Sequence, residues 1–238
     1  MDACRNCGER ALIKAHILPA AFGRMARGSG KDLYQISEAG RATTKNGPWD
    51  DKILCAVCDG KLGVLDKYAS EFFRANSKQD FEPDEVYCIE EVKTGEIIRF
   101  AIAVLWRASI SKKSWFEGVA LGPYEEKFQK ILFNEAALLS EINVLLLRYA
   151  SKKFPMQNLM EFPQRMRVDG NNFYSFQMAG FRVLVKVGGK LATEAMKHFY
   201  LKANESRALV GVLDFDTSDE LQGLLDVFSR SKVGRRHR

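Results

Sequence analysis

Two cysteine pairs carry the clearest chemistry in this sequence. Cys4-Arg-Asn-Cys7 and Cys55-Ala-Val-Cys58 share the Cys-x-x-Cys spacing and are separated by 47 residues. In such a knuckle two thiolates and nearby backbone amides face one point, so two knuckles brought together supply four sulfurs. That is the closed tetrahedral shell of a structural Zn²⁺ site. Thiolates also select against Mg²⁺ and Ca²⁺, which take oxygen ligands. Pairs at this spacing suit a reducing compartment better than a disulfide framework does, and Cys88, which stands apart, is expected as a buried thiol.

The second chemical candidate is His16, in the run Ala15-His16-Ile17-Leu18-Pro19 nine residues beyond the first pair. The second pair then leads directly into a helical pattern. Knuckle, ribbon, knuckle and helix, with this histidine strand between the knuckles, resemble the HNH nuclease family over about residues 1–75. The resemblance implies a treble-clef zinc module with a ββα-metal core and an activity on nucleic acid. It implies that His16 activates water. In the family the residue before that histidine binds the catalytic metal, and here it is Ala15, which cannot. The position after the last knuckle cysteine holds Asp59, a hard oxygen ligand suited to Mg²⁺ or another divalent ion. The residue that orients the base falls near Asp50, with Asn46 less well aligned. Catalytic candidates on this resemblance are therefore His16, Asp59 and Asp50.

Each has a second reading. Beside Ile17 and Leu18 on a strand, His16 can simply pack and donate a hydrogen bond. Just inside a helix start, Asp59 is favourable against the unpaired amides and the helix dipole, by about 0.3–1 kcal/mol, without any metal. Three functions follow: a zinc-stabilised protein that binds DNA or RNA, a metal-dependent endonuclease with His16 as general base, or a module that binds a protein partner.

Cations supply the phosphate-binding candidates: Arg24, Arg27, Lys31 and Lys45 near the histidine strand, and Arg235 and Arg236 at the C-terminus. The formal charge of +6 is concentrated in the last ten residues, SRSKVGRRHR, with five cations and no acid, so the remainder is nearly neutral. Gly28-Ser-Gly-Lys31 lacks the full phosphate-loop spacing and reads as a turn. Arg107 sits within a nearly all-apolar helical run. It must either reach solvent or pair with a buried acid.

These groups need positioning elements. A weakly alternating strand and the polar turn residues after it, between the cysteine pairs, predict a ribbon and loop that return the chain to the second knuckle. Leu62, Leu65, Ala69, Phe72 and Phe73 recur at helical spacing, predicting an amphipathic helix of roughly four turns after Cys55. A turn is expected at Lys93 to Glu96, then a strongly apolar central helix through Phe100, Val104, Trp106 and Ile110. A helix opens near Pro123. Strands are expected in INVLLLRYA, NNFYSFQMA and FRVLVKVG, the last two reversing at Gly180, followed by a short helix over 191–201 and a strand over 207–212.

The whole reads as α+β: a zinc module at 1–75, a larger mixed α+β region at 76–228 and a basic tail at 229–238. At 238 residues and 46% hydrophobic composition the chain buries a real core. No run approaches the length of a membrane span and no secretory signal opens the chain, so no membrane partner and a cytoplasmic location are expected.

Overall fold

The computed structural model describes residues 2–30, 32–37, 40–77, 81–168, 171–188 and 194–219. It is mixed α+β. A two-stranded ribbon pairs β1 (Ala15–His16) with β4 (Trp49–Asp50), antiparallel, with Ala15 opposite Asp50 and His16 opposite Trp49. Between these strands lie α1 (Ala20–Arg27) and a hairpin of β2 (Leu33–Ser37) and β3 (Gly40–Thr44). Helix α2 (Ala56–Asn76) follows directly from Cys55, and its buried residues include Leu62, Leu65, Ala69, Phe72 and Phe73, the apolar set that predicts it.

After β5 (Val86–Ile89), α3 (Thr94–Ile110) runs through the interior. Phe100 to Leu105 are all 0% exposed, which is why the apolar residues wrap the helix instead of forming a stripe. Helix α4 (Tyr124–Phe133) packs on it. The remaining elements are β6 (Ile142–Ala150), β7 (Glu161–Val168), β8 (Asn171–Met178), β9 (Phe181–Val187), the short α5 (Glu194–Lys197) and β10 (Ala208–Asp214). One six-stranded sheet collects the strands in the order β5-β10-β6-β9-β8-β7, antiparallel except between β10 and β6. Ala179 and Gly180 both adopt positive φ, 53° and 81°, which closes the tight β8–β9 reversal expected at Gly180.

Several elements differ from the sequence expectation. Lys93 to Glu96 is not a turn: Lys93 caps α3 and Thr94 begins it. Helix α1 is not foreshadowed in the sequence, because its eight residues include Gly23 and carry only a short apolar pattern. Strand β7 is hidden by Pro163. It is an edge strand whose register breaks between Glu161 and Gln164, where a proline can be carried without a lost ladder bond. Among the described residues, the helix expected over 191–201 is α5 alone. Cys88 is exposed on β5, not buried.

The expected boundary near residue 75 falls within a continuous core. Phe22 of α1, Phe73 of α2, Phe100 of α3, Phe176 of β8 and Phe181 of β9 form a chain of ring contacts at centroid separations of 5.1–6.3 Å. Front segment and sheet thus bury one another. Among the described residues, no helix is long and apolar enough to cross a membrane.

Candidate metal centre and the adjoining cleft

The fold brings Cys4, Cys7, Cys55 and Cys58 together, their sulfurs all within 4.8 Å of one another. The first pair sits in a turn closed by the Gly8 N–H on the Cys4 carbonyl at 2.9 Å, with Gly8 at φ 77°. This turn is tied to the second knuckle by the Arg5 N–H on the Ile53 carbonyl and the Ile13 N–H on the Leu54 carbonyl, both 2.9 Å. Cys55 stands at the N-cap of α2, so the helix start fixes where Cys58 points. Asn6 donates its side-chain amide to the Cys58 sulfur at 3.2 Å, and Gln129 of α4 donates to the Asn6 side-chain oxygen at 3.1 Å. The larger region therefore supports the knuckle from outside.

These donors fit a metal ion. Burial alone would push the Cys4 thiol up, but the backbone amides of Cys7, Cys55 and Asn6 outweigh it and bring the group down to about 7. Cys58 is pushed up to about 12, by burial first and then by the neighbouring sulfurs. Four thiols this close cannot all ionise without a cation among them.

One residue past Cys58, α2 presents a different environment. A cleft of about 360 Å³ is lined by His16 and Arg24, by Asp59, Asp66 and Arg74 of α2, and by Arg107 of α3. Positions 59, 63, 66, 67, 70, 71 and 74 all contribute to its wall, a stripe on one face of α2 about 22 Å long at 1.5 Å per residue. Arg107, 1% exposed, makes a two-pronged ion pair with Asp66, with both nitrogen–oxygen distances at 2.8 Å. It takes the buried-acid alternative left open by the sequence. Burial opposes the guanidinium's charge, and Asp66 more than restores it.

His16 and Asp59 both line this cleft. The Nε2 of His16 is buried without a hydrogen-bond partner. Burial, reinforced by Lys14 and Arg107, lowers the imidazole below its ordinary value, so the ring is neutral near pH 7. Burial also raises the Asp59 carboxyl, which Arg107 partly opposes. Asp59 lies in the first turn of α2 as well, so it serves the helix dipole and the cleft at once.

Asp50 does not reach this site. It pairs with Ala15, and residues directly opposite across a ribbon share a face, so Asp50 and Ala15 point away from the face that carries His16 and Trp49. The Asp50 carboxylate, 2% exposed, accepts the Ser111 hydroxyl at 2.7 Å and the Lys52 N–H at 2.9 Å. Its role is to tie the ribbon to the end of α3.

The cations separate likewise. Arg24 lines the cleft. Arg27 instead donates to the Lys45 carbonyl at 3.0 Å, and Gly23 lies so close to the Asn46 backbone that an added Cβ would come within 2.5 Å of it. Those contacts hold the loop bearing Lys45 against α1, outside the cleft. Lys31, Arg235 and Arg236 lie outside the described residues. Lys67 and Arg74 are cleft residues that the sequence reading misses. The signal available for them is the polar recurrence along α2, opposite its apolar stripe. Among the described residues, Arg24, Lys67 and Arg74 have no ion-pair partner.

Among the described residues, the four cysteines are the group of three or more ligand-type side chains close enough for one ion. No family model, curated protein or solved structure matches the chain.

Proposed function

We propose that this is a zinc-stapled nucleic-acid-binding protein of HNH-like, treble-clef build. Zn²⁺ on Cys4, Cys7, Cys55 and Cys58 contributes folding free energy at the start of α2 and so holds the wall of the adjoining cleft. The observation that carries the reading is the cleft's composition. It combines the unpartnered, buried Nε2 of His16 with Arg24, Lys67 and Arg74, three cations that have no ion pairs among the described residues and outnumber the carboxylates of Asp59 and Glu71 in the same wall. A phosphate is the ligand chemistry that answers both, accepting charge-assisted bonds from the cations and lying beside a neutral imidazole.

A second reading, a metal-dependent endonuclease, is favoured by His16 and Asp59 sharing that cleft. Asp59 would hold a divalent ion through its carboxylate, and the ion would polarise a phosphoryl oxygen. Neutral His16 would take the proton from a water molecule as its oxygen attacks phosphorus and the ester P–O bond breaks. Because Ala15 contributes no ligand, this protein supplies fewer ligands to such an ion than the family pattern does, and Asp50, at the base-orienting position, is turned away. Binding is therefore the leading reading.

Retention of labelled DNA and RNA by the zinc-loaded protein, measured at rising salt, tests the proposal. Binding should weaken steadily with salt, and the Arg24→Glu, Lys67→Glu double variant should lose most of it. No salt-dependent retention of either nucleic acid sinks the binding reading. Cleavage in Mg²⁺ or Mn²⁺ that disappears in both His16→Ala and Asp59→Ala would promote the second reading over the first.

A further inference from the structure

Next to the His16 cleft lies a larger one of about 560 Å³, and Arg74 lines both. Helix α1 contributes to each as well, Arg24 to the first and Met25 to the second. The two halves differ in chemistry. The first is lined by both signs of charge, whereas the second sets Met25, Phe154 and Pro155 among polar residues that include Arg74, Arg148 and Ser151.

Phe154 is one of the two phenylalanines that line that second half. Its contact with Phe215 is edge-on, with centroids 6.1 Å apart and planes at 86°, and the residue is only partly buried. Phe81, also in the wall, is already covered. Tyr87 stacks on it at 3.9 Å, and the Arg148 guanidinium lies 5.2 Å from its centroid. Arg148 is occupied structurally too, donating to the Asn76 and Ser77 carbonyls that end α2.

The loop that carries Phe154 is held in place by Ser151, itself a wall residue, and by Asp216. Ser151 donates to Asp216 at 2.6 Å, and its oxygen accepts the Lys153 and Phe154 N–H groups at 3.1 and 3.0 Å. Lys152 and Lys153, both exposed, immediately precede Phe154 in the chain.

We infer that the two clefts form one groove for a single nucleic-acid strand, in which Arg74 grips a phosphate at the junction and Phe154 stacks on a base. The inference rests on the nucleic-acid reading above and narrows it. A duplex keeps its base faces stacked inside and presents phosphates and groove edges. It would use the charged half of the groove and leave the aromatic half without a partner. A single strand uses both, because its bases can turn out onto a ring while its backbone follows the cations.

The test is fluorescence anisotropy of the full-length, zinc-loaded protein. The probes are an oligothymidine of about 12 nucleotides, its oligouridine counterpart and a blunt duplex of the same length, within the site sizes of single-strand grooves. At least one single strand should bind about tenfold more tightly than the duplex, and comparing the two single strands separates DNA from RNA. Phe154→Ala should weaken single-strand binding about tenfold and leave the duplex unchanged. Phe154→Trp should restore it, which separates loss of stacking from loss of folding. Arg74→Gln should lower the salt slope of single-strand binding by about 0.7.

Equal or tighter duplex binding overturns the single-strand groove and leaves the nucleic-acid reading standing. So does a Phe154→Ala protein with unchanged single-strand affinity. If no probe binds, the nucleic-acid reading falls and takes this inference with it.

Discussion

At the start of α2, Cys58 turns its sulfur into a group of four thiols, and one residue later Asp59 turns its carboxylate into a cleft. The two places share a helix end and little else. Around the cysteines polar groups find partners: knuckle amides bond across to the second pair, and Asn6 and Gln129 form an outer layer. Around His16 a ring nitrogen is buried without a partner, and three cations stand unpaired among the described residues. Buried polar groups are normally satisfied, because leaving one unmade costs about 1–3 kcal/mol. The first arrangement is built for stability. The second leaves one buried ring nitrogen open beside three exposed cations, which is the basis of the binding function proposed above.

The largest effect should come from breaking the stable half. Cys58→Ser should abolish stoichiometric zinc, read by elemental analysis, since one lost thiolate opens the closed shell. Structural zinc contributes on the order of 10–16 kcal/mol in isolated fingers. Loss of even several kcal/mol should lower the thermal midpoint of a chain this size by about 10 °C or more. The chain of phenylalanine contacts makes this loss global: the front segment buries Phe22 and Phe73 against α3 and the sheet. Cys88→Ser, at an exposed site, should keep both zinc and midpoint. A Cys58→Ser protein that retains full zinc would remove the distinction between the two halves.

The same contrast explains what the sequence discloses. Metal chemistry fixes ligand type and spacing locally, so Cys-x-x-Cys pairs are visible without knowing the fold. The long helix α2 and strands β6, β8 and β9 are equally visible, because their apolar periods are long and uninterrupted. The cleft is only partly visible. His16 and Asp59 come from resemblance, and Arg24 from its neighbourhood, but Asp50 fails because its strand register turns it to the other face. Asp66 and Arg107 stand 41 residues apart and meet only because α2 and α3 pack together. Arg74 is hidden by solvent-side polarity, which looks alike whether or not a cleft lies beside it.

The Asp66–Arg107 pair is the hinge of the comparison, a satisfied group set in the wall of the unsatisfied site. Asp66→Asn should destabilise the protein by about 3–5 kcal/mol in urea unfolding, because it leaves Arg107 buried and unpaired. Replacing both partners, Asp66→Leu with Arg107→Met, should recover most of that loss, since the remaining wall no longer holds a stranded charge. A single variant within about 0.5 kcal/mol of the parent would mean that water already reaches the guanidinium. The cleft would then be wetter than a site that depresses the His16 imidazole by burial.

The smallest and most discriminating effect belongs to His16 itself. Burial first, then Lys14 and Arg107, hold its folded-state value below the ordinary 6.5, with Asp66 opposing. The unfolded chain therefore takes up this proton first as pH falls. The stabilisation is complete above the ordinary value and is lost as pH drops through the folded one. Urea unfolding between about pH 8 and about pH 5 should show a stability slope that is shallower in His16→Gln than in the parent. All other titrating groups are common to both proteins, so the difference between the slopes isolates this imidazole. Parallel slopes would mean that His16 titrates alike folded and unfolded, with its nitrogen already satisfied, and the cleft would then resemble the cysteine group more than it differs from it.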